Sequence, residues 1–208
     1  GYMMIDGQSF FFEDFLTESE IKLFTICNDL VHFGKDRYLV LKPMIGVIGT
    51  TPPIKVKTNL AGSHGGNMDN RFITTGSRVY LPVFMEGGLL NIGDLHAAMG
   101  DGEIAGCGIE VAGEATVKLD IIHNWCINFP IIEDSGKFMV SGEGQSLSEA
   151  MKKACTRTLE LLTNTCEMSE SEACFFIGAY AHVELCQSAF LKQLSQAVVR
   201  ISIPKNAG

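Results

Sequence analysis

Two stretches of the chain concentrate side chains that do chemistry: His64-Gly65-Gly66-Asn67-Met68-Asp69-Asn70, and Gly93-Asp94-Leu95-His96-Ala97-Ala98-Met99-Gly100-Asp101-Gly102-Glu103. Between them lie two histidines, three aspartates, one glutamate and two carboxamides, set among glycines and small residues. Hard oxygen donors mixed with imidazole suit Zn²⁺ or another divalent ion. Asp94 and His96 are two apart, so on extended backbone they face the same side. Asp101 and Glu103 repeat that spacing, and four ligand-type side chains can then converge from adjacent stretches. Taken singly, Asp69 or Asp101 reads as an ordinary turn residue, because Asp and Asn beside glycine bond their own backbone and tolerate left-handed conformations. A lone His64 likewise reads as a hydrogen-bonded loop histidine. It is the combination that points to a metal or catalytic site.

The elements that must position these residues are mostly short strands. Ile21–Ile26 has a strand period with one apolar-rich face. Tyr38–Leu41 and Met44–Ile48 flank Pro43, which cannot sit inside a central ladder. Arg78–Val83, Leu89–Ile92, Ile104–Ile109, Ala115–Ile122 and Lys137–Val140 continue the series, predicting a sandwich or barrel. Twelve of the 22 glycines fall between Gly62 and Gly113, a density that lets backbone approach a ligand closely. After Gly144 the period changes. Ser146-x-x-Glu149 and Ser169-x-x-Glu172 are capping-box patterns opening two helices, the first with Leu147, Ala150, Met151, Ala154, Cys155, Thr158, Leu159 and Leu162 on one face. A last strand, Ala197–Ile203, stops at Pro204. The expected fold is mainly β, a sandwich or barrel body over 1–140 carrying both motifs, with an α+β C-terminal portion over 141–208.

Composition limits the partners. The chain has 208 residues, 46% hydrophobic and 19% charged, with mean hydropathy +0.18. That excludes a disordered chain and is long enough to bury roughly 70% of the unfolded surface. Net charge is −8 and no Lys/Arg run occurs, so neither nucleic acid nor an anionic membrane surface is an expected partner. No apolar run approaches the ~18 residues of a membrane span, and the opening residues lack the basic, apolar order of a signal peptide. Seven cysteines, none in a CxxC pair, read as reduced and mostly buried thiols of a cytoplasmic protein. Phe10, Phe11, Phe12, Phe15 and Trp125 read as core or covered-face residues, and His182 with Glu184 as an exposed pair.

MIGVIGTTPP, then GSHGGNMDN, then GSRVYLPVFMEGGLLNIGDLHAAMGDGEIAGCGIE resemble the acetamidase/formamidase family closely and in order. The similarity reaches to the closing Ile203–Lys205, and GGNMDN and GDxHAAxGDGE are long, unusual strings. The resemblance implies a metal-dependent hydrolase of short amides, formamide or acetamide, on a β-sandwich core, and it implies a homo-oligomer. Asp69, Asp94, His96 and Glu103 are then the expected metal ligands, with Asp101 or Glu110 as general base and His64 and Asn67 touching the amide. Zinc is the expected ion, with calcium admissible as a second, structural one. Two departures stand out: Met99 where members usually carry Gln, and Ala105 where they usually carry Cys. The abrupt start at Gly1 looks like a chain that begins after a family segment. A thiol mechanism through Cys107, with His64 or His96 as base, is a rival enzyme reading. A shortened, non-catalytic member acting as a structural or small-ligand-binding module is the other class.

Overall fold

The structure is a computed structural model that describes residues 1–5, 11–12, 14–125, 127–134, 136–189 and 196–205. Its central layer is a five-stranded antiparallel sheet with a double-faced amphipathic pattern. Strands β9 (Arg78–Tyr80), β11 (Ile131–Asp134), β12 (Lys137–Gly144), β13 (His182–Ala189) and β14 (Gln196–Pro204) lie in the order β13-β14-β12-β11-β9. Along β14, Ala197, Val199, Ile201 and Ile203 face one core and Val198 the other. Both faces are therefore covered, and the strand reads as a near-continuous apolar run with one charge, Arg200, inside it.

Helices cover the first face. α1 (Leu147–Thr165) starts at Ser146, whose hydroxyl accepts from the Glu149 amide, and α2 (Glu170–Tyr180) carries a complete capping box between Ser169 and Glu172. Ala150, Ala154, Leu161 and Leu162 of α1 are buried against β12 and β14. The approach is close because β12 has no side chain at the crossing: a Cβ on Gly142 would lie 2.3 Å from the Ala154 nitrogen.

The other face meets a four-stranded sheet, β10-β6-β8-β7, built from β6 (Met44–Gly49), β7 (Ala61–Gly62), β8 (Gly65–Asn67) and β10 (Asn91–His96). Ile48, Met68 and Ile73 from this layer pack on Ile132, Met139, Cys186 and Val198. A pair formed by β1 (Tyr2–Ile5) and β2 (Glu20–Leu23), and a three-stranded sheet of β3 (Thr25–Cys27), β4 (Leu30–Gly34) and β5 (Arg37–Val40), complete the strands, with Phe24, Val31, Ala97 and Ile109 in a third core. The fold is mainly β with two helices in its C-terminal part. The division expected near residue 140 falls inside β12, which joins strands from both portions in one sheet.

Several local expectations are corrected. Ile104–Ile109 is a turn segment rather than a strand, because Gly102, Glu103 and Gly106 all take positive φ and break the extended run. Ala115–Ile122 forms no strand and has no ladder partner among the described residues, leaving Val117, Leu119, Ile121 and Ile122 exposed. Phe15 is 82% exposed, not core, and Phe10 lies outside the described residues. Trp125 does fill core, edge-on to Tyr80 at 5.1 Å between ring centroids. Of the described cysteines, all free, Cys186 alone is fully buried, Cys27 and Cys174 are exposed, and Cys126 lies outside the described residues. No helix among the described residues is long and apolar enough to cross a membrane.

Candidate metal centre

His96 ends β10 and is 1% exposed. Four carboxylates gather around its imidazole. Glu110 Oε1 lies 3.1 Å and Asp94 Oδ1 3.5 Å from His96 Nε2, while Asp69, His96 and Glu103 offer ligand atoms all within 4.8 Å of one another. Asp94, His96 and Glu110 form a second triad of the same kind, sharing the histidine. Each arm has a local cause. Asp69 (φ +45°), Asp94 (φ +57°) and Glu103 (φ +42°) all take left-handed backbone, which aspartate tolerates better than most residues. A short antiparallel bridge between His96 and Glu110 brings the last carboxylate alongside. Gly46 of β6 supplies the floor. A Cβ there would meet Asp94 Oδ2 at 2.5 Å and Asp69 Oδ1 at 2.6 Å.

Burial and crowding together shift the titration of Asp69, His96 and Glu103 upward. Burial, then the neighbouring Asp94 and Glu110 charges, push the Asp69 carboxyl up to about 7, against the opposing pull of His96 and the Asn67 hydrogen bond. Burial and the charges of Asp69, Asp94 and Glu110 push Glu103 up to about 8. Burial opposes charge on His96, but Asp94 and Glu110 outweigh it and raise the imidazole to about 10. Carboxylates crowded in this way repel one another unless protons or a cation intervene. Asp69 Oδ1 and His96 Nδ1 are buried without a hydrogen-bond partner, and His96 Nε2 faces the Glu110 and Asp94 carboxylates. Unpartnered oxygen and imidazole donors converging on one point fit a divalent ion.

The structure thus brings Asp69, Asp94, His96 and Glu103 together and adds Glu110. Of the other candidates, Asn67 touches the cluster while Asp101 and His64 stand outside both triads. Asp101 points to two guanidinium groups, Arg71 Nε and Arg200 Nη1, each 2.8 Å away; burial opposes ionisation, but the two arginines prevail and hold its carboxyl below the usual range. Asn67 Nδ2 donates to Asp69 Oδ2 at 2.8 Å, orienting that carboxylate. His64 belongs to neither triad; its ring packs over the backbone of Gly62 and Gly66, where burial lowers its pKa against a weaker pull from Glu143. Cys107 donates its thiol to Met4 O at 3.0 Å and accepts from Met4 N, and burial raises its pKa, the wrong direction for a thiolate nucleophile. Glu184 pairs with Arg200 rather than with His182. The motif reading did not include Arg71 and Arg200, although a lone arginine between Val199 and Ile201 is a visible anomaly in an apolar strand. An open cleft of about 700 Å³ is lined by Tyr2, Asp94, Leu95 and Glu110 among others, so solvent reaches one side of the cluster.

A sequence model of the acetamidase/formamidase family matches residues 55–207. The chain belongs to this family. Among curated relatives, it is 42% identical over 101 residues to a formamidase of Methylophilus methylotrophus, a match spanning 43% of this chain and 25% of that protein. It is 50% identical over 60 residues to an acetamidase of Mycolicibacterium smegmatis, spanning 28% and 15% respectively. The matched segments therefore cover a quarter or less of these relatives. Among solved structures, an acetamidase from Bacillus halodurans superposes with a TM-score of 0.90 at 34% identity, over 98% of this chain and 68% of the other.

Proposed function

We propose that this chain hydrolyses the C–N bond of short linear amides such as formamide or acetamide, using a divalent metal centred on His96. The observation that carries the reading is the gathering of Asp69, Asp94, Glu103 and Glu110 around the buried His96, with Asp69 Oδ1 and His96 Nδ1 lacking any hydrogen-bond partner. Family membership and the amidase names of its relatives support the reaction class. Asp69, Asp94, His96 and Glu103 are the proposed ligands, zinc the proposed ion, and the overlap of two triads leaves calcium as a candidate for a second, structural position. When bound, such an ion supplies carbonyl polarisation and a lowered water pKa, toward ~7.

The protein's own part is orientation and proton traffic. Glu110 is the proposed general base, because it borders the open cleft while Asp101 is held by two arginines. It takes one proton from the attacking water and returns it to the departing nitrogen. The water oxygen bonds to the carbonyl carbon, the C–N bond breaks, and the carboxylic acid and ammonia leave, the acid's remaining proton passing to the ammonia or to solvent. Asn67 keeps Asp69 oriented, and Asn67 and His64 are the proposed contacts to the amide. A homo-oligomer remains part of this reading, since Leu119, Ile121 and Ile122 expose apolar surface of the kind a second copy buries. Ammonia release from formamide and acetamide, before and after chelation and with zinc restored, tests the proposal. Chelator-sensitive release that zinc restores is expected; release that survives complete metal removal would refute it.

A further inference from the structure

Arg200 is completely buried in the middle of β14. A guanidinium in that position is costly unless it is paired, and it is paired twice. Its Nε reaches Glu184 Oε2 at 3.1 Å on the neighbouring strand β13, and its Nη1 reaches Asp101 Oδ1 at 2.8 Å on the glycine-rich loop. The guanidinium also lies 4.7 Å over the Phe72 ring. Arg71 Nε closes on the same Asp101 oxygen from the other side at 2.8 Å.

The loop has a second anchor one residue further on. The Gly102 amide donates to Cys186 O at 3.1 Å, and Gly102 O accepts from the Ser188 amide at 2.9 Å and from the Ser188 hydroxyl at 2.8 Å. Gly102 (φ +90°) and Glu103 (φ +42°) then turn the chain. The turn sends Asp101 toward Arg200 while Glu103 joins Asp69 and His96. Among the described residues, the Glu103 backbone hydrogen-bonds to Gly100 and Gly106, within the same loop. What ties that loop to the sheet is the pairing on Asp101 and Gly102.

We infer that Arg200 is a positioning residue for the metal centre: acting through Asp101, beside the separate Gly102 anchor, it fixes where Glu103 meets the other ligands. This rests on the proposed reading of the cluster as a metal site. Arg200 touches none of the proposed ligands, so its influence travels through the loop. Glu184, its other partner, bonds Arg200 and the Ser202 hydroxyl and serves as the internal control.

Three variants separate the loop anchor from general stability. Arg200→Lys keeps the charge but cannot fork to both carboxylates. Asp101→Asn breaks the pair from the loop side, and Glu184→Gln breaks only the other arm. Each is assayed for folding by thermal unfolding, for zinc affinity by chelator competition, and for amide hydrogen exchange over residues 98–106. Arg200→Lys and Asp101→Asn are expected to exchange at least about ten-fold faster over that segment. Both are expected to bind zinc about 10–100-fold more weakly, as loss of a partner behind a ligand does. Glu184→Gln should stay close to wild type in both. Wild-type exchange and zinc affinity in Asp101→Asn, or equal loosening of the loop in Glu184→Gln, would overturn the inference. A loop that loosens as expected in a protein that takes up no zinc would keep the anchor and remove the metal reading.

Discussion

Replacing Gly46 by alanine perturbs the proposed centre without changing a charge. The new methyl would lie 2.5 Å from Asp94 Oδ2, 2.6 Å from Asp69 Oδ1 and 2.9 Å from the Asp94 carbonyl oxygen. Ordinary contact begins near 3.4 Å, so both carboxylates must retreat by about 0.9 Å, and the Asp94 backbone must shift as well. Strand β6 is held between β10 and β8, so the methyl cannot escape by moving the strand alone. Displacing reacting or ligating groups by about 1 Å costs on the order of 10²-fold in rate. Overpacking of this kind costs about 1–3 kcal/mol of stability. Gly46→Ala is therefore expected to fold, with a lowered Tm, and to lose about 100-fold in kcat/KM for formamide together with weaker zinc retention. Steady-state ammonia release, elemental analysis and a thermal melt on one preparation read all three. Wild-type turnover and zinc content in a folded Gly46→Ala protein would refute the placement of Asp69 and Asp94 at the centre.

Glu110→Gln removes the proposed base while keeping its shape; kcat is expected to fall about 10²–10⁴-fold with zinc still bound, measured by turnover beside metal content. Cys107→Ala is expected to leave kcat within about two-fold of wild type, since its thiol serves the Met4 backbone; loss of turnover would revive the thiol mechanism. Glu143→Gln probes the buried pairing with Arg157 and Lys153, where burial opposes ionisation but the two cations prevail and lower the Glu143 pKa. A depressed carboxyl stabilises the fold above its unfolded pKa near 4.5 and loses that contribution as pH falls through the folded value. The variant should thus be about 3 kcal/mol less stable at pH 7, with the gap to wild type closing in acid, as read by denaturant titration from pH 7 to pH 3.

Much of the centre was legible in residue order because its donors cluster in two motifs, yet the reason for their convergence differs from the spacing argument. Two residues on extended backbone share a side, and that logic was applied equally to Asp94 with His96 and to Asp101 with Glu103. The first pair does meet, although Asp94 has left-handed rather than extended backbone. The second pair is split, because the positive φ at Gly102 and Glu103 turns the chain between them. Glycine density announced unusual backbone without saying in which direction it would bend. The same ambiguity produced a strand at Ile104–Ile109, where apolar alternation was outweighed by turns. The helices were easier: a capping pattern and an apolar face are local, and both helices start where those signals lie. Strand β13 went unread because HVELCQSA alternates polar with apolar residues only weakly, and its place is set by pairing with β14. Arg200 shows the remaining gap. Its charge in an apolar strand is visible in the sequence, but its partners Asp101 and Glu184 come from distant segments that only the fold unites.

The centre itself is tested most directly by zinc stoichiometry in the wild-type chain and in His96→Ala, determined by elemental analysis after dialysis against metal-free buffer and reloading. His96 is shared by both triads, so its removal should empty the site, and a thermal melt on the same preparation checks that the variant folds. Stoichiometric zinc in the wild type and none in a folded His96→Ala protein is the expected result. Equal zinc in both, or a wild-type chain that takes up none, would contradict the assignment of this cluster as a metal centre.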